Sequence, residues 1–264
     1  MDKAKPAPVR LSIGNLDIDL NFDSGPLSEY FAGVYSSFLQ PDRAGYPVNV
    51  SWTAIWPQTE PIQIKTNIKQ KALELTAVGY EGRIEAEGAQ LELSTGAPFL
   101  GVDYFVRTVT AFLAYQAGGM MFHGAGILRG EKGYIFFGHS GSGKSTVAGF
   151  SAEDVVLNDD LLILHPLPDA WMMYATPFWN PTQVKPTNGE GEVHGLYRLV
   201  KDTSIFVERM SSGQAVGELA ASTPVFPAES DQAQVILERC LQLSQCVPVY
   251  RLHFQKNDNF WSVI

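Results

Sequence analysis

Cysteine is scarce in this chain: Cys240 and Cys246 are the only two among 264 residues. Two thiols cannot frame a fold, so a disulfide scaffold is excluded and a reducing cytoplasm is the expected compartment. Basic side chains are also few, 19 against 28 acidic ones, for a formal net charge of −9. Such a chain lacks the electrostatic footprint of nonspecific nucleic-acid binding, and no nucleic-acid partner is expected. No run approaches the ~18 consecutive apolar residues that cross a bilayer, so no membrane association is expected. The opening stretch, Met1 to Arg10, has no apolar core of the kind a signal peptide carries. Charged residues make up 18% beside 45% hydrophobic ones, which excludes a disordered chain. Internal repeats and low-complexity tracts are lacking too. What is left is a globular protein of one large or two smaller domains, and homo-oligomer formation is left open.

The first ~95 residues read as strand-rich. Val9–Ile13 and Leu16–Leu20 alternate apolar with polar residues around Asn15. Pro26 to Leu39 carries apolar residues at helical spacing. The segments Val48–Trp56, Ile62–Ile68, Ala72–Tyr80 and Gln90–Ser94 then predict an antiparallel meander with one wet face. Phe99 to Gln116 resumes helical spacing up to Gly118-Gly119. Beyond it the strands Met120–Phe122, Tyr134–Phe137, Val155–Leu157 and Leu161–Leu164 are almost wholly apolar, as in a sheet buried on both faces. The expected division is a β-rich domain over residues 1–96 and an α/β domain over 97–264. Asn180 to Gly195, rich in Pro, Gly, Thr and Glu, predicts a long mobile loop. Helices are expected over Ser211–Ala221 and Asp231–Gln245, and a final edge strand over Pro248–Gln255.

Gly138-His-Ser-Gly-Ser-Gly-Lys-Ser-Thr146 matches the phosphate-loop (Walker A) pattern of Gly, four residues, Gly, Lys, then Ser or Thr. Gly138, Gly141 and Gly143, with Ser140 and Ser142 between them, let backbone N–H groups turn inward on phosphate oxygens. Lys144 can neutralise the β/γ-phosphates, the Ser145 hydroxyl can ligate Mg²⁺, and Thr146 closes the motif. An apolar strand enters the loop and a short helix leaves it, presenting its positive end to the same anion. ATP with Mg²⁺ is therefore the expected ligand.

Asp159 and Asp160 follow an apolar run, 15 and 16 residues after Lys144. Adjacent strand residues point to opposite sides, so one carboxylate could hold the metal and the other accept a proton. A solvated turn between two strands is the plainer reading of an isolated Asp-Asp. Only Arg129–Gly133 joins the strands around it, too short for a parallel crossover, so they form an antiparallel hairpin. Counting about residue 131 puts His123 opposite position 139, beside the loop. There it could steady a phosphoryl group or assist proton transfer, the alternative being an ordinary hydrogen-bonded strand histidine.

Phe122-His-Gly124, the loop Gly138–Thr146 and Leu157-Asn-Asp-Asp160 together resemble the HPr serine kinase/phosphorylase family. Tyr174–Phe178, Gly195–Leu199 and Val247–His253 are similar to its smaller HPr kinase-related members. The resemblance covers about residues 100–264. It implies an α/β phosphate-loop core shared with phosphoenolpyruvate carboxykinase, with a mixed sheet. It implies Lys144 on the phosphates, Ser145 on Mg²⁺, Asp160 as catalytic base and His123 as accessory residue; Asp159 then joins Ser145 on the metal. The family's Glu-x-Arg-Gly-Leu-Gly segment has no counterpart after Asp160. Glu190 and Glu192 could replace its metal ligand, although solvated carboxylates are the plainer reading, and Arg209 and Arg251 are candidates for a later arginine.

The expected function is ATP- and Mg²⁺-dependent phosphoryl transfer to a hydroxyl on a protein, peptide or small metabolite. The alternative is a nucleotide-gated regulatory module, or an NTPase using water. Trp171, Phe178 and Trp179 could stack on a base but read more simply as packing. Cys240 is expected in the core, and His139, His165, His194 and His253 carry no assigned role.

Overall fold

A computed structural model describes residues 5–53, 65–69, 72–151, 153–179, 183–224 and 230–264. The chain is mixed α/β with two sheets and divides into two compact units. One runs to Leu113, and the other comprises Ala114–Val225 and Ser230–Ile264. Among the described residues no helix is long and apolar enough to cross a membrane.

In the first unit, β1 (Val9–Ile13) and β2 (Leu16–Phe22) form a hairpin. Their alternation puts Val9, Leu11, Ile13, Ile18, Leu20 and Phe22 in the core. The helix α1 (Gly25–Val34) has Pro26 in its first turn, where the missing N–H had no helical partner to lose. It stops at Val34, short of the expected Leu39, and a 3₁₀ turn, Ser36–Phe38, follows. Tyr35 sits between them, turned into the core, with its hydroxyl donating to Asp103 at 3.2 Å.

The sheet is completed by β3 (Tyr46–Trp52), β4 (Lys65–Lys69), β5 (Ala72–Ala77), β6 (Tyr80–Ile84) and β7 (Ala89–Leu93), in the order β1-β2-β3-β7-β6-β5-β4. β4 to β7 form an antiparallel meander, with a turn at Val78-Gly79 splitting the segment expected as one strand. β3 departs from that pattern and runs parallel to both β2 and β7. The segment 23–45, which holds α1, is long enough for the crossover that parallel pairing needs. The parts of the expected segments that fall on residues 54–64 lie outside the described residues.

α2 (Pro98–Gln116) packs on this sheet through Val102, Phe105, Val106 and Val109. A Cβ on Gly101 would come within 2.9 Å of Leu93, and one on Gly82 within 2.6 Å of Phe105. With this close seat most of α2 groups with the first unit, which runs to Leu113.

The second unit contains β8 (Met120–Arg129), β9 (Lys132–Phe137), α3 (Lys144–Phe150), β10 (Val155–Asn158), β11 (Leu161–Pro166), β12 (Trp171–Tyr174), β13 (Glu190–Lys201), β14 (Phe206–Arg209), α4 (Ser212–Ala221), α5 (Ser230–Cys246) and β15 (Val249–Phe254). Its mixed sheet runs β10-β8-β11-β12-β13-β15-β14, with β9 paired to both β8 and β13. β9, β13 and β15 are mutually parallel, so their carboxyl ends emerge together. Beneath α3 lies a core that includes Ala125, Ile127, Phe136, Val147, Leu252, Phe254 and Phe260. Truncating a fully buried ring such as Phe136 to alanine costs about 3–5 kcal/mol.

Two expectations are corrected in this unit. The stretch expected as a loop to Gly195 is strand from Glu190, because β13 is paired to β12 over its first residues and then runs between β9 and β15. The final strand β15 is not an edge, because β14 lies outside it.

Candidate functional site

The site is built at the carboxyl end of β9, where the chain leaves Phe137 and turns through residues 138–143 into α3. Gly141 and Gly143 have φ of 75° and 115°, values that side-chain-bearing residues rarely adopt. Gly143 is also crowded: a Cβ there would stand 2.6 Å from Phe254 Cζ. With Gly138 at a φ of 144°, three glycines are therefore set by backbone geometry as well as by motif spacing. The turn is closed by Ser142 N–H donating to the His139 carbonyl at 3.0 Å.

Beside this turn is a cavity of about 670 Å³. Of the residues expected at the site, Ser140, Gly141, Gly143, Lys144, Ser145, Thr146, His123, Asp159 and Asp160 all line it. Gly138 and Ser142 lie behind the surface. The Gly138 carbonyl accepts from Lys144 Nζ at 3.0 Å, and among the described residues the buried Ser142 Oγ has no hydrogen-bond partner. Lys144 is only 8% exposed. Burial pulls its pKa below the usual lysine value, and the carboxylates of Asp160 and Asp159 act against that.

The acidic turn joins β10 to β11 and is fixed from beneath by Asn158, a wholly buried residue. Its amide Nδ2 donates to the carbonyls of Thr176 and Phe178, both at 2.9 Å, and to Thr176 Oγ1 at 3.2 Å. Its Oδ1 accepts from Asp160 N–H at 2.7 Å and Leu161 N–H at 3.0 Å. Asn158 therefore fixes where Asp160 begins. The turn is also tied to β8, where Gly124 N–H donates to the Asp160 carbonyl at 2.9 Å and Leu161 pairs with His123.

The two aspartates occupy different surroundings, as their adjacency on a strand end requires. Asp159 is 1% exposed. Its carboxylate accepts from the Ser145 hydroxyl and, through Oδ2, from Val184 N–H at 3.4 Å. Burial raises its pKa above the ordinary carboxylate value, and those hydrogen bonds pull the other way. Among the described residues its buried Oδ1 has no hydrogen-bond partner. Asp160 is more open, and its Oδ1 lies 3.2 Å from His123 Nε2. The hairpin register pairs Gly124 with Phe137, so His123 faces position 138, one residue from the expected 139. The count is displaced because the turn centres between Gly130 and Glu131, with Arg129 paired to Lys132.

Ser145 and Asp159 could hold Mg²⁺, since a hydroxyl and a carboxylate are the oxygen donors that ion takes. Among the described residues Asp159 Oδ1 is a buried acceptor left without a partner.

Several expected candidates lie elsewhere. Glu190 and Glu192 are exposed on β13, opposite Tyr174 and Met172 of β12, and do not line the cavity. Arg209 and Arg251, on β14 and β15, do not line it either. Trp171 and Phe178 are buried core residues, and Trp179 is half-buried outside the lining set. His139 is exposed, with Nδ1 at 2.7 Å from the Ser140 carbonyl. Cys240 is buried, and burial pushes its thiol pKa up to about 11; Cys246 is exposed at the end of α5.

Sequence reasoning missed Gln183, next to the Val184 that touches Asp159, and a wall of Lys201, Asp202, Gln255 and Lys256. Lys201 ends β13, and Gln255 and Lys256 follow β15. Strand ends beside a glycine-rich turn are where α/β sheets bind ligands, but the parallel pairing of β9, β13 and β15 had first to be known.

No protein-family model matches the chain, and no curated protein matches it in sequence. Among solved structures, the Hpr(Ser) kinase/phosphatase from Coxiella burnetii is similar at a TM-score of 0.31 and 12% identity, over 51% of this chain and 85% of that one. A likeness of that degree is too slight to establish a common fold.

Proposed function

We propose that this protein is a Mg²⁺- and ATP-dependent kinase that transfers the γ-phosphoryl group to a hydroxyl. One observation carries the reading. A glycine-rich turn with Lys144, an exposed Ser145 beside the buried Asp159, and a more open Asp160–His123 pair all face the same cavity. Oxyanion holding, metal holding and proton acceptance are the three tasks of phosphoryl transfer to a hydroxyl.

In this reading the turn amides and Lys144 hold the phosphates, and Lys144 exchanges its Gly138 carbonyl for phosphate oxygens. Ser145 and Asp159 hold Mg²⁺, which when bound offsets charge on the β- and γ-phosphates. Asp160 takes the proton of the attacking hydroxyl as its oxygen bonds to phosphorus and the bond to the leaving ADP breaks. His123 orients the Asp160 carboxylate from 3.2 Å. The acceptor is a hydroxyl of a protein, peptide or small metabolite.

The test is incubation with γ-labelled ATP and Mg²⁺ in the presence of candidate hydroxyl acceptors. Label should appear on an acceptor, and Asp160→Ala should reduce transfer by at least ~100-fold, in the range of a lost general base. Lys144→Ala should abolish nucleotide binding. Free phosphate as the sole product means a hydrolase, bound nucleotide without turnover means a regulatory module, and an unchanged nucleotide affinity in Lys144→Ala overturns the site.

A further inference from the structure

The cavity is polarised across the sheet. β8, β9, β13 and β15 are successive neighbours, so β8 and β15 stand three strand spacings apart, about 14 Å. His123 comes from β8, and the acidic turn is tied to β8 on the side away from β13. On the other side of the glycine turn, β13 ends in Lys201 and β15 leads into Lys256, and both side chains line the cavity. Two carboxylates and an imidazole thus flank one side of the turn, and two lysines with Asp202 the other.

The lysine wall stands on a rigid frame. Asp202 N–H donates to the Phe254 carbonyl at 3.1 Å, and the Gln255 side chain donates to the Thr203 carbonyl. Asp202 makes no ion pair with either lysine. Its carboxylate is engaged by His253 Nδ1 at 2.8 Å and by the N–H groups of Thr203 and Ser204. Among the described residues neither Lys201 nor Lys256 makes an ion pair, and no arginine lines the cavity.

In phosphoryl transfer the attacking and leaving oxygens lie roughly in line through phosphorus. The hydroxyl must enter beside Asp160, which takes its proton, so the leaving diphosphate points away from Asp160, toward β13 and β15. We infer that Lys201 and Lys256 form a subsite for the β- and α-phosphates of the nucleotide and receive the charge that develops on the leaving diphosphate. This rests on the kinase reading above and names the wall that holds the nucleotide. The same polarity leaves the acceptor a wall of carboxylate and imidazole, unsuited to a second anion.

Titration of the intact protein with Mg·ADP, pyrophosphate and adenosine tests this. Lys201→Ala and Lys256→Ala should each weaken Mg·ADP and pyrophosphate about tenfold, leave adenosine unchanged and leave the melting temperature unchanged, since both side chains are exposed. Lys201→Arg and Lys256→Arg should recover most of the loss, because the requirement is charge. Wild-type affinity for Mg·ADP in both alanine variants overturns the subsite while the kinase reading stands. A wild-type protein that binds neither Mg·ATP nor Mg·ADP overturns the kinase reading and the subsite with it.

Discussion

Asp159 carries a cost in stability that, in the kinase reading, a bound metal would offset. Its carboxylate is buried with one oxygen unpartnered, and burial raises its pKa in the folded state. The folded chain then holds that proton more tightly than the unfolded chain, so the contribution to stability falls as pH rises through the carboxylate range. At neutral pH the ionised group is a standing penalty. Asp159→Asn should therefore stabilise the metal-free protein by about 1 kcal/mol at pH 7, roughly 2–4 °C in melting temperature, and abolish stabilisation by Mg²⁺. The gain should disappear below the carboxylate range, where Asp159 is already protonated. Melting curves at pH 4 and pH 7, with and without Mg²⁺, check this; a variant less stable at both pH values refutes it. That Lys144, Ser145, Asp159 and Asp160 would lie around one cavity was legible in sequence from motif spacing. Asn158 was not legible as a support, because its partners Thr176 and Phe178 lie far along the chain and only the folded turn brings them within 3.2 Å.

At the scale of elements, the turn between β9 and α3 is held open by glycines for two different reasons. Gly141 has φ of 75° with no atom within 4 Å of a Cβ, whereas Gly143 has φ of 115° and Phe254 at 2.6 Å. Gly141→Ala should cost about 1 kcal/mol of backbone strain. Gly143→Ala adds displacement of a core ring and should cost about 3 kcal/mol, with at least tenfold weaker Mg·ADP binding. Denaturant unfolding of the two variants side by side tests this, and equal losses would show that Phe254 yields freely. Elements with unmixed patterns were legible: the apolar runs of β8, β9, β10 and β11, and the helical spacing of α2 and α5. β14 was not, because Phe206, Glu208 and Arg209 are exposed and the strand carries no buried alternation. Its absence made β15 look like an edge. The start of β13 was hidden by the Pro- and Gly-rich composition around it, since Gly191 and Gly195 are there for close packing against Leu128 and Tyr197 and not for a loop.

Across the whole molecule, two electrical environments coexist. The chain carries nine net negative charges. The cavity lining is balanced, with Lys144, Lys201 and Lys256 against Asp159, Asp160 and Asp202. An anionic nucleotide approaching from a distance meets the field of the whole chain first and the lysines only at short range. At ~0.01 M ionic strength the screening length is about 30 Å, so the repulsive field reaches across the molecule; at ~0.15 M it is about 8 Å and the local lysines dominate. Association of a Mg-bound fluorescent ATP analogue should therefore hold steady or quicken severalfold between those salt concentrations. A cavity steered by a basic surface does the opposite, slowing steeply as salt is added. Stopped-flow rates across the salt series decide between them. A tenfold slowing at ~0.15 M would mean that the lysine wall projects its field well beyond the cavity and that the net charge has no part in the encounter. A rate that rises in the native protein, and rises more steeply in the Lys201→Ala, Lys256→Ala double variant, would place the attraction for the nucleotide in those two side chains and the repulsion in the rest of the surface.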